Sequence, residues 1–116
     1  MIELNLPYPP STNNLWTRTR KGMRKTNGYV AWLMLAGIAA RQQKFESVEG
    51  VYKLSIQAVR PDKRKRDLDN IIKPISDLLQ SLGIVRDDCD CEMLTARWVT
   101  VGEGVQVRVE RAGVEI

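Results

Sequence analysis

Asp67 and Asp69 stand one residue apart in RKRDLDNIIKP, residues 64–74, directly behind the basic residues Arg60, Lys63, Arg64, Lys65 and Arg66. Lys73 follows Asp69 by four residues, and a second acidic stretch, VRDDCDCE, gathers Asp87, Asp88, Asp90 and Glu92. Four carboxylates so close together repel one another unless a cation or a basic surface compensates. The sequence contains no histidine, which removes the usual zinc ligand and the usual general base. Hard oxygen ligands without imidazole select Mg²⁺, with Mn²⁺ as a substitute. Such ions commonly act on phosphates, polarising the phosphoryl oxygen and neutralising the leaving oxygen. The basic run would then hold phosphates on either side of the one attacked.

The spacing constrains the backbone. Inside a helix, residues 67 and 69 would lie on nearly opposite sides; extended at a helix entrance, they point the same way with Leu68 turned to the core. Pro74 is tolerated only in a first helical turn, so the helix is expected to begin at about Asn70 or later, with Asn70 as candidate cap. Two acids at a helix start are also ordinary complements of the helix dipole, and Asp69–Lys73 alone is an ordinary i,i+4 pair. A solvated turn explains one or two of the acids at 87–92, and a solvated loop explains the basic run taken by itself. The conjunction of both acidic stretches with the basic run favours chemistry. The two acidic stretches meet only if the strand after the second returns along the helix toward the first.

The elements that must position these residues form the order β-α-β-α-β-β, an α/β pattern in a chain of 116 residues, suited to one domain. Ile2, Leu4 and Leu6 alternate as a first strand, and PYPPSTNN ends it. A long loop to about Asn27 carries Arg18, Arg20, Lys21, Arg24 and Lys25. A helix is predicted from Gly28 to about Phe45, apolar nearly all round, so that Trp32, Leu33, Leu35 and Ile38 need covering on two sides. The second cover is expected to be another copy of the chain, the alternative being the preceding loop with Trp16 and Met23 folded back over it. Residues 51–60 read as a strand with Tyr52, Leu54, Ile56 and Ala58 on one face, and Leu68, Ile71, Ile72, Ile75, Leu78, Leu79 and Leu82 as an amphipathic helix ended by Gly83. Strands at 92–101 and 105–112 flank Gly102-Glu103-Gly104, read as a hairpin.

Lys and Arg number 18 against 14 Asp and Glu, a formal charge of +4 that favours a polyanionic partner. Cys89 and Cys91 share one strand face; a disulfide between them would be strained, and two thiols fall short of a structural zinc set. Unpaired thiols suit the cytoplasm. The N-terminus shows no signal-peptide pattern, and the longest apolar run, Val30–Ala40, is well below the ~20 residues a membrane span needs.

The stretches LPYPPSTNN at 6–14 and KRDLDNIIK at 65–73, followed by Asp87-Asp88, resemble the RusA family of Holliday junction resolvases, and the similarity spans nearly the whole chain. The resemblance implies a small α/β domain with a mixed β-sheet and two main helices, assembled as a homodimer. It implies a Mg²⁺-dependent endonuclease that resolves four-way DNA junctions by paired nicks in DNA recombination and repair. Asp67, Asp69 and Asp88 would be the metal-binding carboxylates, Lys73 the essential lysine and Asp87 a supporting acid. Arg18, Arg20, Lys21, Lys63, Arg64, Lys65 and Arg66 are the candidate DNA contacts. A cytoplasmic, nucleoid-associated protein of bacterial or prophage origin is expected. Pro74, where a small helix former is more usual, and the CDC after the paired acids depart from the family pattern without removing a matched side chain. A nuclease for flaps or forks, or a DNA-binding module without activity, are the alternatives; a Mg²⁺-dependent nucleotide phosphohydrolase leaves the basic surface without a purpose.

Overall fold

Alternation in sequence becomes burial in space along Tyr52–Val59, strand β4, where Tyr52, Leu54, Ile56 and Ala58 are buried and the residues between them are partly exposed. In this computed structural model, which describes residues 1–113, β4 lies inside a four-stranded sheet. Its partners are Ile2–Leu6 (β1), Cys91–Val99 (β5) and Val105–Arg111 (β6), in the order β1-β6-β4-β5. β4 runs parallel to β5 and antiparallel to β6, and β6 runs antiparallel to β1, so the sheet is mixed. β1, β4 and β5 therefore point the same way.

Two helices cover the apolar face. Asn27–Gln42 (α1) begins at Thr26, whose Oγ1 accepts from the Tyr29 amide at 3.2 Å, and buries Tyr29, Trp32, Ala36, Gly37 and Ala40. The small residues among these let the helix lie close to β1. The Trp32 indole donates to the Pro7 carbonyl at 2.9 Å, which ties α1 to the PYPP segment. Ile72–Ser81 (α2) buries Pro74, Ile75, Leu78 and Leu79. Each aliphatic side chain so enclosed contributes roughly 1.5–3 kcal/mol.

Four expectations change. The segment read as a loop to Asn27 contains a hairpin, Trp16–Thr19 (β2) paired with Gly22–Lys25 (β3) through an Arg20-Lys21 turn. Its strands are almost wholly exposed, so no burial pattern marks them in the sequence. α1 ends at Gln42 rather than near Phe45. Asn70 does not cap α2; it lies in a short 3₁₀ turn, Leu68–Ile71, that precedes the helix, and Pro74 falls in the first turn of α2, where its missing amide costs nothing. Finally, residues 102–104 are no hairpin. β5 and β6 lie on opposite sides of β4, and the connection passes over its end, where the Gly104 carbonyl accepts from the Val59 amide at 3.0 Å.

The apolar surface of α1 has two sides, as expected. Val30, Met34, Leu35 and Ile38 are 46%, 63%, 61% and 48% exposed. Trp16 and Met23 are exposed too, so the hairpin does not close over this stripe.

Candidate active site

The parallel β4–α2–β5 crossover determines what can meet. Chain leaving β4 passes through the basic segment, enters the 3₁₀ turn, runs down α2 and re-enters the sheet through a second 3₁₀ turn, Asp88–Asp90, at the start of β5. The first turn packs beside β5. The Thr12 hydroxyl donates to the Asn70 carbonyl at 2.8 Å, so the PPSTNN segment pins that turn from the other side. The two stretches that carry the family resemblance are thus joined in space.

Asp69, Lys73 and Asp88 line one open cleft with Thr12, Ser76 and Cys91. The Lys73 ammonium lies 3.5 Å from Asp88 Oδ2 and 2.9 Å from Asp77 Oδ1. Asp77 in turn accepts from the hydroxyl of buried Tyr29 at 3.0 Å. The Asp77 carboxylate first, and Asp88 after it, raise the Lys73 pKa, so the side chain stays cationic near neutrality. Because this ammonium is half exposed, its ion pairs add little stability. Their importance is positional. Asp77 and Tyr29 were missed in the sequence, although the i,i+4 spacing from Lys73 to Asp77 was a signal for the first.

Asp67 is extended, with φ −86° and ψ 127°, and Leu68 packs against the core as expected. The 3₁₀ turn, however, gives Asp67 to an adjoining cleft with Tyr8, Ser11, Lys65 and Arg66, and Asn70 borders both clefts. Asp87 caps the second turn. Its Oδ1 accepts from the Cys89 amide at 3.0 Å, which holds the carboxyl below its usual range. Beneath this loop the buried Tyr52 hydroxyl has no hydrogen-bond partner among the described residues, and burial, followed by nearby Cys91 and the acids, pushes its pKa to about 12.

The metal question turns on these donors. Among the described residues no three acids or thiols stand together as a ready-made cage. Asp69 and Asp88 do share a cleft, their donors are all oxygen, and a cationic group already sits against Asp88. Magnesium is usually held by one or two carboxylates, with water and substrate phosphate supplying the remainder, and an open pair suits that mode.

The candidate DNA contacts occupy two places. Arg18, Arg20 and Lys21 project from the β2–β3 hairpin. Lys63, Arg64 and Lys65 are exposed on the loop before Asp67, whereas Arg66 is held by Asp62 at 3.1 and 2.7 Å.

Carboxylates and an ammonium held in one cleft, with basic residues on the loop beside it, are the equipment of an enzyme acting on phosphodiesters. The chain belongs to the RusA family: the family model described as Endodeoxyribonuclease RusA matches residues 7–110. It is an endonuclease of that family. A protein from Enterobacteria phage HK97 called crossover junction endodeoxyribonuclease rusA is 31% identical over 96% of this chain and 89% of its own length. The Aquifex aeolicus protein with the corresponding name is 29% identical over 90% of this chain and 84% of its own length.

Proposed function

We propose that the protein resolves four-way DNA junctions by paired hydrolytic nicks, with Mg²⁺ as the natural ion and Mn²⁺ as a substitute. The observation that carries this reading is the shared cleft of Asp69, Lys73 and Asp88 in a chain of this family. Asp69 and Asp88 would hold the ion, which when bound supplies phosphoryl polarisation and a nucleophile at neutral pH, and Asp67 would join them from the adjoining cleft once DNA and ion are bound. Lys73 places positive charge where the phosphorane and the leaving oxygen develop negative charge. Asp77, which accepts from Tyr29, would hold that ammonium at the cleft independently of Asp88. Asp87 shapes the loop that presents Asp88. Digestion of end-labelled four-way, flap and linear duplex DNA, each with Mg²⁺ and with chelator, tests the reading: cutting confined to the four-way DNA with Mg²⁺ supports it, and preferential cutting of flaps replaces it with a flap nuclease.

The basic loop and hairpin are the phosphate contacts in this account. Neutralising Arg20, Lys21 or Arg64 is expected to weaken binding of every DNA sequence alike and to reduce the salt slope by about one unit. Titrations at several salt concentrations check this; unchanged affinity and slope leave the basic run as solvated surface. Such an activity belongs in a bacterial or phage-infected cytoplasm, where the DNA is; the relatives come from a phage and a bacterium. No helix among the described residues is long and apolar enough to cross a membrane.

Paired nicks call for two sites, and a two-fold dimer supplies them. The exposed Val30, Met34, Leu35 and Ile38 of α1 are the surface through which two copies join, because an uncovered apolar stripe is otherwise an aggregation liability. Leu35→Glu with Ile38→Glu is expected to give monomers in sedimentation equilibrium at micromolar concentration, where the unmodified chain sediments as a dimer. A monomeric unmodified chain that still makes paired nicks overturns this interface.

A further inference from the structure

β1, β4 and β5 end at the same edge of the sheet, and residues just beyond or near those ends build an aromatic surface beside the Asp67 cleft to which the cleavage chemistry gives no role. Tyr8 and Trp98 hold their rings parallel to within 7°, with centroids 6.4 Å apart. The Arg60 guanidinium carbon lies 4.6 Å from the Trp98 centroid, and that of Arg66 lies 5.7 Å from the Tyr8 centroid. Both rings are partly exposed, packed against the core along one edge. Arg66 is fixed in this position by its two bonds to Asp62. Tyr8 also lines the cleft that contains Asp67, Lys65 and Arg66.

Planar groups of this kind accept a nucleobase with little regard to its identity, since every base has a π-face and guanidinium adds cation–π attraction. A base inside a duplex has no free face to offer. An unpaired one does, and a branch point is where pairs open most cheaply. The neighbouring Lys63, Arg64 and Lys65 are exposed and positive, matching the phosphates on either side of such a base.

We propose that Tyr8 and Trp98, flanked by Arg60 and Arg66, form a stacking seat for one unpaired nucleobase beside the strand presented to Asp67. The inference rests on the reading of the chain as a DNA nuclease, and it adds a means of recognising the branch point apart from the phosphate contacts.

The test uses the full chain in chelator, so that binding is read without cutting. Fluorescence anisotropy compares a labelled twelve-residue thymidine oligonucleotide with an abasic strand of the same length. The unmodified protein is expected to prefer the thymidine strand about tenfold, within the range that base–aromatic stacking supplies. Trp98→Ala should bind both strands equally, Trp98→Phe should keep most of the preference, and Tyr8→Leu, which leaves Trp98 packed against the core, should reduce it severalfold. Trp16→Ala, which alters an exposed tryptophan on the hairpin, should keep it. Equal binding of the two strands by the unmodified protein, or full preference in Tyr8→Leu and Trp98→Ala, overturns the seat. Failure of the nuclease reading is separable, because absence of junction cutting leaves the base preference measurable.

Discussion

Asp69→Asn and Asp88→Asn are each expected to lower junction cutting by at least about a thousandfold while leaving junction binding within roughly twofold, as for groups proposed to hold the ion on which the transition state depends. Both side chains are exposed on one cleft and neither holds the fold together, so the variants should melt like the unmodified protein. The amide keeps the shape of the carboxylate and removes its charge, which weakens the hold on a hard cation without touching the basic loop or hairpin. Asp67→Asn is expected to do the same. Single-turnover cleavage with saturating protein, alongside binding in chelator, separates the two quantities. Cutting at near-normal rate by any of the three variants removes that residue from the site. Asp77→Asn should act more mildly. It deprives Lys73 of its nearer partner but leaves Asp88, so single-turnover rate is expected to fall about tenfold with binding unchanged, and Asp77→Glu should restore part of the loss.

The second large effect is on stability. Gly104 has φ +63°, and a Cβ built there would collide with the Leu6 carbonyl oxygen at the end of β1. An alanine must therefore adopt a left-handed backbone, costing roughly 1–2 kcal/mol, and must also push β1 away from the connection. Backbone cannot yield as the tip of a side chain does, so Gly104→Ala is expected to cost about 3 kcal/mol in total and to lower the melting temperature by more than about 10 °C. Gly113, where an added Cβ meets open space, serves as the control, and Gly113→Ala should melt within about 2 °C of the unmodified protein. Thermal unfolding followed by circular dichroism measures both. A Gly104→Ala protein with unchanged melting would mean that the β5–β6 connection does not press on β1 as described.

That connection also shows where sequence reasoning stops. The alternation at Tyr52–Val59 and the three- and four-residue steps of α2 were legible because one face of each is buried and the burial selects residue type. Val105, Val107 and Val109 announce a strand just as plainly, but they do not say which strands flank it, and β6 inserts between β1 and β4 instead of folding back on β5. Strand pairing is set by the whole core. The β2–β3 hairpin was illegible for the opposite reason: with both strands exposed, no face imposes a pattern.

The site divides along the same lines. The four-residue step from Asp69 to Lys73 and the run of acids at 87–92 are local, and the structure brings Asp69, Lys73 and Asp88 to one cleft. The turn at Leu68–Ile71 is a tertiary feature, pinned by Thr12 from a distant segment, and it turns Asp67 toward a neighbouring cleft. Tyr29 reaches Asp77 from another helix, a contact that no spacing within either element encodes.

Cleavage of a supercoiled plasmid that extrudes a cruciform tests the central claim most directly. A four-way junction held by two active sites loses both opposed strands within the lifetime of one complex, so Mg²⁺ is expected to yield linear plasmid from the outset, with no accumulation of nicked circles and no product in chelator. Nicked circles that accumulate first and become linear only in a second encounter, or plasmid left uncut in Mg²⁺ and Mn²⁺ alike, would contradict the account.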